Sequence, residues 1–180
     1  MTGIATRIPI QVLAAAINKV RGMTLQQKER LGDEIHRVQP HMLGAVLVMH
    51  RMGVSYEKME FLVDILLICY QAMKESGLVW PQITVEDFDR QTTIYVATVK
   101  FGEDLSASLH DRLMQQYIDG YPEPYLLAFV HSETAAWMQR ITPEESDKHI
   151  MLAAVLLANC IAYVPLPAQP KLSAKENKPR

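Results

Sequence analysis

At 180 residues the chain is long enough for one domain that buries most of the surface its unfolded form exposes, so neither disulfides nor a structural metal is required for stability. Hydrophobic residues make up 49% and charged residues 21%, which excludes wholesale disorder. The formal charge of -2 hides an asymmetry: Pro165 to Arg180 takes four of the 18 basic residues and one of the 20 acidic ones, so the body carries 14 basic against 19 acidic residues and is poorly suited to neutralising phosphates.

Pro9 opens a first short apolar helix that runs to Val20, and Gly22 closes it. Thr24 caps a second, with Gln27 three residues on completing a capping-box pattern, and Leu25, Leu31, Ile35 and Val38 mark its inward side on a charged background. Pro40 forces a break and starts a third helix, residues 41–52, which is apolar nearly all round and is expected to be buried on most sides. Gly53 suits the left-handed residue past that helix, and Ser55 suits the next N-cap, with Glu57 in the positive first turn. The fourth helix, 56–75, carries Glu57, Glu60, Asp64, Gln71 and Lys74 near one stripe, interrupted by Leu67, and Gly77 ends it.

The segment 83–101 has two readings. "TTIYVATVKF" is rich in β-branched and aromatic residues and suits a strand. Thr84 in N-cap position before Glu86, Asp87 and Asp89, with Phe88, Tyr95 and Val99 at helical intervals, favours a helix, which is the reading adopted. A sixth helix, 105–119, places Leu105, Leu109, Leu113 and Tyr117 at four-residue steps and stops at Gly120. The seventh puts Leu126, Val130, Trp137 and Ile141 along one face. "TPEE" at 142–145 then offers a Thr N-cap with Pro at the first helical position of an eighth. The expectation is an all-α single domain, a helical bundle or orthogonal helical array of seven to eight helices over residues 1–164, followed by a disordered Pro-rich basic tail, 165–180. "MLGAVL" at 42–47 resembles "MLAAVL" at 151–156, and the small residues at 44, 45, 153 and 154 would let two such helices approach closely.

Two kinds of chemistry are open to these residues. Asp33 and His36 lie three apart on one helix and Glu145 and His149 four apart on another, so each pair projects from one face, and the two pairs together are the candidate ligand set for a divalent metal in a helical-bundle enzyme. Against it, the Glu-x-x-His pattern of diiron bundles is missing, and both carboxylates sit in solvated segments. "MGVS" before "YEKMEFLVDIL" resembles the turn of a helix-turn-helix DNA-binding regulator with Val54 as the plug, but the would-be recognition helix shows Glu57, Glu60 and Asp64, which a phosphate-lined groove repels. His50 and Arg51 take the negative end of the third helix, where cations are favoured without any further role.

No catalytic residue and no cofactor is assigned. His131 with Ser132 and Glu133, and Ser106 with His110 and Asp111, are local clusters rather than a triad assembled in space, and no nucleophile elbow, Gly-rich phosphate loop or Cys-x-x-Cys occurs. Cys69 and Cys160 lie in apolar runs and read as free buried thiols. The N-terminus lacks the order of a signal peptide, and the apolar run Ile150 to Val164 is 15 residues, short of the roughly 18 to 20 that span a bilayer, so a cytoplasmic protein is expected. Ten methionines, with Met42, Met49, Met52 and Met59 grouped around the third and fourth helices, suit interior filling or an adaptable partner surface. The leading expectation is a non-enzymatic interaction protein that uses an apolar helical face to hold itself or another protein.

Overall fold

The computed structural model describes residues 6–103, 112 and 115–167, and every regular element among them is helical. α1 (Ile10–Arg21) follows Pro9 and buries Leu13, Ala16 and Val20. α2 (Leu25–Val38) begins at the expected capping box: Thr24 Oγ1 accepts from the Gln27 N–H at 3.3 Å, and Gln27 Oε1 accepts from the Thr24 N–H at 2.8 Å. Only Leu31 and Ile35 are buried on it. Leu25 lies about 80° to 120° round the helix from the two residues of that stripe, and Val38 sits where the chain turns away at Pro40, so both stay exposed.

α3 (Pro40–Leu47) is shorter than the expected 41–52 helix, because its last turn, Val48–Met52, tightens to a 3-10 helix. Gly53 ends it with φ +88, the Gly53 N–H donates to His50 O at 3.1 Å and the Val54 N–H to Met49 O at 3.2 Å, which is the paired-bond ending that a left-handed glycine permits. α4 (Tyr56–Glu75) starts at Ser55, whose hydroxyl accepts from the Lys58 N–H at 3.4 Å. It is the central helix: 12 of its 20 residues are buried, and it packs against α1, α2, α3 and both C-terminal helices. The expected polar stripe is therefore incomplete. Gln71 is buried and satisfies its amide on Glu75 at 2.8 Å, and Leu67 belongs to the core.

The connection after Gly77 is tied down by Gln39, whose buried amide donates to Pro81 O and accepts from the Ile83 N–H, both at 2.8 Å. Residues 83–101 resolve in favour of the helix, α5 (Val85–Glu103). Its start is closed reciprocally: Asp87 Oδ2 accepts from the Thr84 N–H at 2.9 Å while Thr84 Oγ1 accepts from the Asp87 N–H at 3.2 Å, and this local cap outweighs the β-branched composition. Of the sixth expected helix, residues 115–119 are helical and Gly120 follows them; Leu105, Leu109 and Leu113 lie outside the described residues, as does the tail beyond 167.

α6 (Pro124–Met138) buries Leu126, Val130 and Trp137 as expected. α7 (Asp147–Tyr163) corrects the "TPEE" reading, since residues 142–146 form a turn ahead of the helix rather than its first turn. The cause is Asp147. Its carboxylate accepts from the Glu144 N–H at 2.7 Å and from Lys58 Nζ at 2.6 Å, which pins the helix start one turn later. Among the described residues no helix is long and apolar enough to cross a membrane.

Cys69 and Cys160 are free and buried, and burial pushes both thiols up to about 12. Since the thiolate is the reactive form, neither should titrate with an aromatic disulfide reagent at neutral pH until the chain unfolds. Immediate reaction of even one thiol in native buffer would contradict the packing around it.

Candidate functional site

The four candidate metal ligands are not gathered at one point. Asp33 and His36 stay on α2, with His36 exposed. Glu145 precedes α7 and is engaged by Lys148 Nζ at 2.9 Å, which holds its carboxyl below the ordinary range. His149, in the first turn of α7, faces a groove shared with His41. Among the described residues no group of three His, Cys, Asp or Glu side chains is placed to hold an ion. Ser106, His110 and Asp111 lie outside those residues.

The turn at 53–55 forms as expected, with Val54 buried between α3 and α4. The helix after it is buried along 12 of its 20 residues, and Lys58, its one early base, turns inward to Asp147. α4 thus presents no basic face to a nucleic-acid groove.

What the structure does assemble is apolar. The 41–52 segment, expected to be covered on most sides, is buried only along Met42, Val46 and Met49; Leu47 is 53%, Val48 41% and Met52 45% exposed. Between that open side, the first two turns of α5 and the start of α7 runs a groove of about 430 Å3. One wall is Gly44, Ala45, Val48 and Met52; the facing wall is Val85, Phe88 and Thr92; Met49, Ala153 and Leu156 form the floor. Small side chains create the space. A Cβ added at Gly44 would meet nothing within 4 Å, so the glycine is not there to admit a neighbouring helix. The helices that carry the matched segments 42–47 and 151–156 do come together, α3 against α7, but Gly44 is not the point of contact: Ala154 packs in the core, while Gly44, Ala45 and Ala153 open onto the groove.

His41 and His149 are the main polar groups of the lining. Glu86, at the start of α5, has its carboxyl held below the ordinary range, chiefly by its own backbone N–H and by Thr84, with the His41 imidazole adding a smaller pull. The volume falls within the roughly 300 to 1,000 Å3 typical of binding pockets, and an apolar lining with a few polar groups at its rim is what such sites have in common.

Comparison with protein-family models, curated proteins and solved structures finds no match to this chain.

A second, larger cleft of about 1110 Å3 runs along α4, between α1, α2 and α6. Its walls are charged, but Arg21 is bound to Glu133 at 2.8 Å and Lys28 to Asp64 at 2.7 Å across it, above Phe61 stacked on Trp137 at 4.8 Å. Charges that satisfy one another in water leave little for a ligand to gain, and each such exposed pair contributes about 0 to 1 kcal/mol. The apolar groove is the better candidate. Sequence reasoning missed it because apolar residues on a helix read as core; the one available signal was the small pair Gly44 and Ala45 on a helix otherwise made of large side chains.

Proposed function

We propose that this protein is a non-enzymatic interaction module that holds an apolar helix of a protein partner in the groove between α3, α5 and α7. The observation that carries the reading is the open apolar side of the 41–52 segment facing Val85 and Phe88 across an unfilled space. Apolar helices dock into grooves of this kind through side chains at three- and four-residue spacing. Met49 and Met52 on the lining suit such a role, being unbranched side chains that repack around different shapes. The buried charged groups support a structural rather than catalytic assignment: Glu123 is saturated by Thr6, Arg7 and Ile8, and Asp147 by Lys58 and Glu144. Two free buried thiols fit a reducing compartment, the cytoplasm.

The test is whether the groove takes an apolar group in solution. An apolar fluorescent dye such as anilinonaphthalene sulfonate is expected to bind one per chain at high dilution, and Gly44→Leu to weaken it by about tenfold or more by filling the site. Gly44 has helical backbone geometry and open space above it, so the leucine costs no strain and adds helix propensity. Dye binding that ignores Gly44→Leu, or no dye binding at all, would dismiss the groove as a docking site.

A further inference from the structure

α5 carries an apolar ridge as well as a groove wall. Val85, Thr92, Val96 and Val99 fall within about 60° of one another around the helix and run for about 21 Å along it. The first half of this strip, with Phe88, lines the groove; beyond Thr92 the strip leaves it, and Val96 and Val99 stand 38% and 42% exposed. One helix thus presents a groove at its N-terminal half and a ridge at its C-terminal half, on the same side. Ridge and groove so placed are self-complementary under a twofold axis crossing α5 near its middle.

We infer that the helix held in the groove is α5 of a second copy of this chain, packed antiparallel, so that Val96 and Val99 of each protomer enter the groove of the other above Gly44, Ala45 and Ala153. Charge selects the second copy and its direction. Glu86 and Asp89 lie on one flank of the strip near its start, and Lys100 lies on the same flank near its end, all three exposed. Antiparallel pairing sets Lys100 of one protomer opposite Glu86 and Asp89 of its partner, twice by symmetry. Parallel pairing about an axis along the helices would bring opposite flanks together and would keep Lys100 about 16 to 21 Å along the helix from the partner's acidic pair, so it forgoes that attraction. The small residues of the groove supply the depth that a valine ridge needs, and the interface is isologous and closes, which prevents growth into a filament.

This inference rests on the groove being a docking site, and the experiment separates the two. Sedimentation equilibrium of the full chain across the micromolar range is expected to show a dimer, of twice the 20.4 kDa chain mass. Val99→Glu, at an exposed position where the monomer fold is not at stake, should raise the dimer Kd by about 100-fold or more, because two carboxylates would enter apolar grooves. Lys100→Glu should raise it about tenfold, and adding Asp89→Lys to that variant should recover most of the loss. Helical circular dichroism confirms that each variant is folded. A wild-type dimer unaffected by Val99→Glu, or a charge swap that recovers nothing, overturns the antiparallel α5 pairing. A chain monomeric throughout also overturns it; dye binding still lost in Gly44→Leu would then leave the groove to a different protein, whereas failure of that dye test would remove the groove reading too.

Discussion

Glu123→Ala is expected to lower the free energy of unfolding by about 4 kcal/mol, a fall of roughly 10 °C in Tm for a chain of this length. Glu123 is 1% exposed and every acceptor position on its carboxylate is used. Oε1 accepts from the Arg7 N–H at 3.0 Å and Arg7 Nε at 2.9 Å; Oε2 accepts from the Thr6 hydroxyl at 2.6 Å and the Ile8 N–H at 3.0 Å. Arg7, so oriented, donates to Val164 O at 2.7 Å, to Ile161 O at 2.6 Å and to Ala162 O, which satisfies carbonyls at the open end of α7 and places a cation at its negative pole. One carboxylate therefore joins the N-terminal arm, the turn before α6 and the end of α7. Alanine there leaves a partly buried guanidinium without its counter-charge and the Ile8 N–H without a partner, and the penalty is for those orphaned groups more than for the lost attraction. Urea denaturation checks it: the midpoint should drop with the slope unchanged. A loss below about 1 kcal/mol would mean the arm is not held by this carboxylate.

That clamp also shows where reading the chain reaches its limit. Most local signals survive translation into structure because their causes are local: the Thr24–Gln27 box, Ser55, Gly53 and the Thr84–Asp87 cap each act within a few residues, and each forms, whereas "TPEE" yields to Asp147, which takes the Glu144 N–H and is held by Lys58 from 89 residues away. Arg7 and Glu123 are 116 residues apart, and nothing near either one announces the other. "YPEP" reads as a turn, which it is, while its glutamate serves a distant strand of backbone. Burial shows the same division. Periodicity identifies an apolar face but not whether another element arrives to cover it, so Leu47, Val48 and Met52 read as core and stand open, and Gln71 reads as part of a polar stripe and is buried. The groove is the product of that difference: it exists because a face that periodicity marks for burial has nothing from its own described residues upon it.

Asp147→Ala is the second large effect expected, about 3 kcal/mol, and it bears on the groove as well as on stability. Asp147 is 2% exposed and holds Lys58 Nζ at 2.6 Å; Lys58 in turn donates to Thr142 O at 3.1 Å and pairs with Glu144 at 3.2 Å. This joins the start of α4 to the start of α7, two residues before His149 and one turn before Leu152, which line the groove. Lys58→Met alone should also destabilise, by leaving the carboxylate buried and unpaired, yet Lys58→Met with Asp147→Ala should lose less than the two single variants together, because each single change orphans a charge that the double variant no longer contains. The pH dependence has a fixed sign. Burial pulls the Lys58 ammonium pKa down, the hydrogen bonds to Asp147 and Glu144 pull it up, and the net direction is up from 10.5. A folded pKa raised above the unfolded value means that the pair's contribution is complete below pH 10.5 and is lost as the pH climbs through the folded value. Wild-type protein should therefore lose stability on the alkaline side more steeply than the double variant, measured by urea midpoints across that range. Parallel alkaline profiles, or strictly additive single losses, would show that the pair is not what fixes α7 against α4, and the groove wall it supports would have to be held by packing alone.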